Sequence, residues 1–220
     1  MRAMILAAGR GERMKTLTEA TPKPLLRAGG HYLIEYMIES LKQAGVTDVV
    51  VNVAYRGEQI QTALGNGNRY GVHLEYSVEQ ERLETGGGIF KALPLLGREP
   101  FIVVSSDVVT DFPMSSLPLA MTGLAHLVLV PNPTFHPVGD FGLNQTLVDM
   151  SAKPAHTFAN VGVYHPDLFK DCLPGHFPLN KLLFPAIHQG LVTGQYYQGR
   201  WFNIGTPEQL AAFENSGFTA

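Results

Sequence analysis

Hydrophobic positions in the first half of the chain alternate between two patterns. Residues 3–7 and Phe101–Ser105 are short apolar runs without polar alternation, which predicts strands buried on both faces. Asp48–Val53 is a β-branched run containing Val49, Val50, Val51 and Val53, and residues 74–77 predict another strand. Between these runs the period changes. Leu33, Tyr36, Met37, Ser40, Leu41 and Ala44 recur at helical spacing until Gly45 stops them. Gly57–Leu64 predicts a short helix closed by Gly65-Asn66-Gly67, and 85–96 a longer one. Repeated strand–helix–strand order implies right-handed crossovers. The expected fold is therefore α/β, with a mainly parallel open sheet and helices on both faces.

The second half is less regular. Residues 127–130 predict a strand, followed by the loop Pro131-Asn132-Pro133. Residues 142–149 and 158–164 read as strands of a smaller, partly antiparallel region, and 180–190 as a helix. Thr206-Pro207-Glu208-Gln209 opens the last helix, with Thr206 as N-cap, Pro207 at the first helical position and Gln209 completing a capping box. No repeat, low-complexity tract or linker divides the chain. One domain over residues 1–220 is expected, with a seam near residue 130.

Open α/β sheets bind ligands beyond the C-terminal ends of their strands. Four segments should therefore share one edge. The first strand empties through Leu6, Ala7 and Ala8 into Gly9-Arg10-Gly11-Glu12-Arg13, and Lys23 follows between two prolines. Glycines let backbone N–H groups approach phosphate oxygens, and the cations neutralise them. The spacing is not that of a P-loop or of a dinucleotide fingerprint, since Met14 stands where each needs glycine. Asn52 ends the second strand, while Glu79 and Glu84-Thr85-Gly86-Gly87-Gly88 follow the third. Three glycines could let a flat base lie on the backbone, or form a turn whose Thr85 caps the next helix. Asp107 ends the most apolar strand. It is either a hard-metal ligand beside phosphate or the N-cap of a helix at Val108-Val109.

Composition narrows the partners. Net charge is −3 and no long basic run appears, which gives a nucleic-acid partner little electrostatic support. Cys172 is the only cysteine, so no internal disulfide forms, and no cysteine-rich zinc site is possible. The apolar stretch 4–8 is too short for a signal-peptide core, and no run approaches a membrane span. A cytoplasmic protein is expected. The eight histidines form no His-x-x-x-His pair, and no serine sits in a nucleophile elbow.

Taken in order, these motifs resemble the sugar-1-phosphate nucleotidyltransferases, the nucleoside-diphosphate-sugar pyrophosphorylases, over nearly the whole chain. The Gly-x-Gly-x-Arg signature is Gly9–Arg13, followed by Pro22-Lys23-Pro24-Leu25. The Leu-Gly-Thr segment is Leu83-Glu84-Thr85, and the metal aspartate is Asp107. Asn160-Val161-Gly162 and Trp201–Pro207 match the sugar-side and late metal motifs.

The resemblance implies a Rossmann-like α/β fold of the glycosyltransferase-A type. A nucleotide-binding part would span about 1–130, and a small sugar-binding subdomain about 131–220. It implies UTP and a sugar 1-phosphate as partners, Mg²⁺ as cofactor, and a monomer or small homo-oligomer without nucleic acid or membrane. A muramic sugar is the favoured acceptor. Mannose 1-phosphate with GTP, or a non-catalytic nucleotide-sugar-binding subunit, are the alternatives. Arg13, Lys23 and Asp107 take the catalytic positions. Leu6, Ala7, Ala8, Gly9, Gly11 and Glu12 would join Glu79, Glu84, Thr85 and Gly86 around the nucleotide. Gly142, Lys153, Asn160, Gly162 and Asp107 fall on the sugar side, with Asp107 and Asn203 on the metal. Three positions depart from the family pattern. Ser105-Ser106 replaces a dipeptide ending in glycine, Asn203 an aspartate, and Ala152 a glutamate.

Overall fold

The computed structural model describes residues 1–118 and 120–218. Chain order runs β1 (Ala3–Leu6), α1 (Leu17–Ala20), β2 (Arg27–Ala28), β3 (His31–Tyr32), α2 (Leu33–Gln43), β4 (Asp48–Val53) and α3 (Gly57–Leu64). It continues with β5 (His73–Val78), α4 (Glu84–Leu96), β6 (Phe101–Ser105), β7 (Val108–Thr110) and β8 (Ala125–Val130). The last part holds β9 (Gly142–Asn144), β10 (Leu147–Asp149), β11 (Thr157–Tyr164), α5 (Asn180–His188), β12 (Val192–Tyr196), β13 (Trp201–Asn203) and α6 (Pro207–Glu214).

A nine-stranded sheet in the order β5-β4-β1-β6-β11-β8-β12-β10-β9 forms the centre. Strands β5, β4, β1 and β6 run parallel, as the first-half pattern predicts. Beyond them the sheet is mixed rather than mainly parallel. Strand β11 enters antiparallel to both β6 and β8, and β10 lies antiparallel to β12 and β9.

Period-two alternation sorts the strand residues into two cores. Ala3, Ile5, Val49, Val51, Ile102 and Val104 face the layer of α2 and α3, packing against Ile34, Met37, Ile38, Leu41, Ile60 and Leu64. Met4, Val50, Phe101 and Val103 face α4 and α5, against Ile89, Ala92, Leu96, Leu183 and Ile187. Each valine, leucine, isoleucine, phenylalanine or methionine among them contributes about 1.5–3 kcal/mol on full burial. A third cluster joins the two ends of the sequence: Met14, Tyr36 and Val109 pack with Ile204 and Phe213.

Several local expectations change. Residues 142–149 form a hairpin rather than one strand, with Leu147 opposite Asn144 and Gln145 at φ 56° in the turn. Val108–Thr110 is a strand paired with Trp201–Asn203, so Asp107 caps no helix. Thr85 is no cap either, because α4 starts one residue earlier, at Glu84, and has no side-chain cap. At the last helix Thr206 Oγ1 accepts from Gln209 N at 3.3 Å. Gln209 reaches back past the N-cap, accepting from Gly205 N at 2.8 Å.

Candidate active site

The ends of β1, β4, β5 and β6 open into one cleft. Leu6, Ala7, Ala8, Gly9 and Gly11 form its floor and rim. Lys23, Glu79, Glu84, Thr85 and Asp107, also expected from sequence, line it too, with Asn52, Arg82, Ser105 and Ser106 among the other lining residues. Gly11 has φ 68°, and a Cβ there would lie 2.9 Å from Cβ of Lys23. The glycine thus lets the loop close onto the lysine that follows it. Lys23 sits in the tight turn Lys23–Leu25, after Pro22 in extended conformation. Its ammonium donates to Oδ2 of Asp107, forming an ion pair with both side chains largely buried.

A buried polar chain ties the strand ends together. Ala7 N donates to Oδ1 of Asn52 at 2.8 Å, and Nδ2 of Asn52 donates to Oε1 of Glu79 at 2.7 Å. Oε2 of Glu79 accepts from Leu83 N at 3.1 Å. Asn52 and Glu79 are both nearly inaccessible. The Glu79 carboxylate thus holds the loop before α4 against β4. The strand-end rule brings Asn52 to this edge but names no role for it; the structure makes it the link between Ala7 and Glu79. Its signal in the sequence is one amide near the end of a run of valines.

The glycines at the start of α4 serve protein packing. A Cβ on Gly86 would stand 2.6 Å from the Phe177 ring, and one on Gly87 2.2 Å from the Gly175 carbonyl oxygen. One on Gly88 would meet Glu79 Oε1 at 2.7 Å. Gly86 therefore faces Phe177 rather than the cleft. Glu84, where the family motif has glycine, takes φ 58°, a left-handed conformation that a non-glycine residue holds only under strain.

Not every expected residue reaches this cleft. Glu12 is exposed, 3.9 Å from Arg10. Arg13 lies to one side, packed on Gly205. A second pocket contains Asn160 and Asn203, together with Phe141, Phe158 and Trp201. Asn160 has φ 57° at an irregularity in the β11–β8 register, and Trp201 Nε1 donates to Ala159 O at 2.9 Å. Gly142 is buried, with a Cβ position only 2.2 Å from the Ala152 carbonyl oxygen, and Gly162 abuts His126 O. Both glycines permit close backbone approach and line neither pocket. Lys153 is exposed and lines neither pocket.

Among the described residues no three His, Cys, Asp or Glu side chains cluster as a metal site. Mg²⁺ needs fewer, since it takes one or two protein oxygens and completes its shell from phosphate and water. Asn203 Oδ1 is buried with no hydrogen-bond partner among the described residues, an oxygen left for a cation. Ile204 N donates to Asp107 O at 2.8 Å, which brings this segment alongside the aspartate. The donor set of one carboxylate and one amide oxygen fits Mg²⁺.

Among the described residues, no histidine or cysteine lines the cleft. Cys172 lies outside it, and burial raises its thiol pKa, with Asp171 adding to the effect. What the cleft offers is backbone amide, cation and carboxylate at the ends of parallel strands. That equipment belongs to α/β enzymes that transfer phosphoryl-type groups.

The family model for nucleotidyl transferases matches residues 2–216, and the chain belongs to that family. Its fold is the Rossmann-like α/β fold of these enzymes. It is similar to the N-acetylmuramate alpha-1-phosphate uridylyltransferase of Neisseria meningitidis serogroup B, with 47% identity over 94% of both chains. It is 32% identical to a mannose-1-phosphate guanyltransferase of Aspergillus fumigatus over 96% of this chain, which spans 62% of that protein. The solved inositol-1-phosphate CTP transferase from T. maritima matches with a TM-score of 0.77 at 20% identity, over 100% of this chain and 98% of that one. That last likeness concerns the fold alone. No helix of the described residues is long and apolar enough to cross a membrane.

Proposed function

We propose that the protein transfers the uridylyl group of UTP to N-acetylmuramate 1-phosphate, releasing pyrophosphate and forming the UDP-sugar in peptidoglycan recycling. The observation that carries this reading is the 47% identity, over 94% of both chains, to a uridylyltransferase for that sugar phosphate. UTP and the acceptor place the reaction in the cytoplasm. Residues 1–130 form the nucleotide-binding part and 131–220 the sugar-binding part.

In the proposed reaction a sugar-phosphate oxygen attacks the α-phosphorus of UTP in line. The bond to the bridging oxygen breaks, and its electron pair leaves with pyrophosphate. The nucleophile is already an anion, so no protein base is needed. Catalysis reduces to positioning and charge stabilisation. Loop amides from Gly9 to Gly11 hold the triphosphate. Lys23, fixed by Asp107, spends its remaining N–H donors on the nucleotide and sugar phosphates. Arg13 stabilises the pyrophosphate as charge builds on it. Glu84 and Thr85 flank the uracil on the segment that Glu79 secures. Gly86, Gly142 and Gly162 contribute by letting backbone segments meet. Asn160 faces the sugar. Asp107 and Asn203 would hold Mg²⁺, which screens the repulsion between the two anionic substrates when bound.

A second reading keeps the chemistry and changes the substrates to GTP and mannose 1-phosphate. It is favoured by the 32% identity over 96% of the chain to a guanyltransferase. Pyrophosphate release separates the two readings when UTP and GTP are each paired with N-acetylmuramate, N-acetylglucosamine and mannose 1-phosphates. UTP with N-acetylmuramate 1-phosphate is expected to give the highest kcat/KM. Equal or faster turnover with GTP and mannose 1-phosphate overturns the assignment.

A further inference from the structure

Muramate differs from N-acetylglucosamine by a lactyl ether that ends in a carboxylate. The second pocket is rich in apolar side chains, including Phe135, Phe141, Phe158 and Trp201. They suit the methyl groups and the sugar face. A carboxylate among them is costly unless it is paired. Among the described residues, no lysine or arginine lines this pocket. Lys153 is exposed outside it, and Arg200 lies 3.4 Å from Asp111 with its guanidinium over Phe218.

One basic side chain does line it. His136 places Nε2 3.0 Å from Oδ1 of Asp140, and both side chains are a little over one-third exposed, at 39% and 37%. Asp140 is itself tethered, since its Oδ2 accepts from Phe158 N at 2.8 Å. The turn between them is built to hold this geometry. Asn132 Nδ2 donates to Pro137 O at 3.2 Å and to Ala155 O at 3.0 Å, and Asn132 Oδ1 accepts from Thr157 Oγ1 at 2.9 Å. Gly139 has φ 72°, and a Cβ there would lie 2.7 Å from Asn132 Oδ1. His136 Nδ1 has no partner among the described residues.

Granting the proposed uridylyl transfer to a muramic sugar, we infer that His136, oriented by Asp140, binds the lactyl carboxylate and sets the preference for muramate. With both ring nitrogens protonated, Nε2–H donates to Asp140 and Nδ1–H to the substrate carboxylate. Asp140 fixes the ring as a carboxylate fixes other functional imidazoles. His136 is a specificity-determining residue. It takes no part in bond making.

The test compares wild type and His136→Gln with UTP and three acceptors. These are N-acetylmuramate 1-phosphate, the same sugar with its carboxylate converted to the amide, and N-acetylglucosamine 1-phosphate. The variant is expected to lose about tenfold in kcat/KM on the muramate, mainly through KM, as for one charge-assisted hydrogen bond. Its turnover of N-acetylglucosamine 1-phosphate should stay within about twofold of wild type, which also reports on folding. Wild type should lose about as much on the amide, and the variant should not distinguish acid from amide. Unchanged muramate kcat/KM in the variant, or an equal loss on both sugars, overturns the role of His136. Absence of wild-type turnover with the muramate overturns the functional reading itself.

Discussion

The guanidinium of Arg13 rests on Gly205. A Cβ at Gly205 would stand 2.9 Å from Nη2 and 3.2 Å from Cζ of Arg13. The contact joins the first loop of the chain to the turn before its last helix. The packing of Met14 with Ile204 and Phe213 holds the two segments in place. Arg13 is thereby set against the turn at Gly205 and outside the lining of the cleft at the strand ends.

Removing that charge should act on rate rather than on folding. Arg13→Ala is expected to lower kcat by about 10²–10³, as for loss of a group that stabilises developing charge. Because Arg13 is exposed, its thermal midpoint should scarcely move. Gly205→Ala crowds the flexible ends of both Arg13 and Gln209, whose Oε1 would stand 3.2 Å from the new Cβ, and should show a smaller rate loss with a small fall in the midpoint. Pyrophosphate release and thermal melting together check both variants. Wild-type turnover in Arg13→Ala removes the assigned role.

Two glycines should separate ligand contact from packing. Nothing lies within 4 Å of a Cβ added at Gly9, whereas one at Gly87 would meet the Gly175 carbonyl oxygen at 2.2 Å. A backbone atom cannot move aside as a side-chain tip can. Gly87→Ala is expected to cost about 1–3 kcal/mol in urea unfolding. Gly9→Ala should leave stability within about 0.5 kcal/mol and raise the KM for UTP, because the methyl fills space meant for phosphate. Matching stability losses in the two variants contradict this division.

The parallel part of the fold is legible in the sequence because β1, β4 and β6 are apolar on both faces and α2 shows a clean helical period. The rest was hidden for physical reasons. Strand β11 pairs antiparallel with both neighbours, and local alternation carries no information about strand direction. Val108–Thr110 and Trp201–Asn203 are three-residue strands, too short to show a period. Gln145 turns the hairpin in a left-handed conformation where glycine or asparagine would have signalled it. The glycine loop, Lys23 and Asp107 could be grouped in advance by the rule that places ligands at strand ends. Asn52 falls on that edge by the same rule, while Arg82 reaches the cleft without any motif to mark it. His136 carries no metal-ligand spacing, because its partner is a carboxylate in the same turn.

Asn52 is expected to matter for stability more than any other polar residue of the cleft. It satisfies Ala7 N–H and one oxygen of Glu79 at once. Asn52→Ala leaves both without that partner in a buried site, a loss of about 2–6 kcal/mol at about 1–3 kcal/mol for each unsatisfied group. Urea unfolding measures it. A loss below about 1 kcal/mol means that water replaces the amide.

Stability should also depend on pH through His126, which bridges β8 and β12. Its Nδ1 lies 2.8 Å from Thr193 Oγ1 and its Nε2 3.0 Å from Gln195 Oε1. Burial holds its pKa below the ordinary 6.5, partly opposed by the bond to Gln195. The folded protein therefore binds this proton less readily than the unfolded chain. The site's contribution is fully present above the unfolded pKa near 6.5 and is lost as pH falls toward the folded value. His126→Gln removes the titration and keeps a polar side chain between the strands. The urea midpoint of wild type should fall further between about pH 7.5 and about pH 5 than that of the variant, since the difference isolates one histidine from the other seven. Equal shifts in the two proteins show that His126 titrates alike in the folded and unfolded states, and a larger shift in the variant reverses the assigned sign.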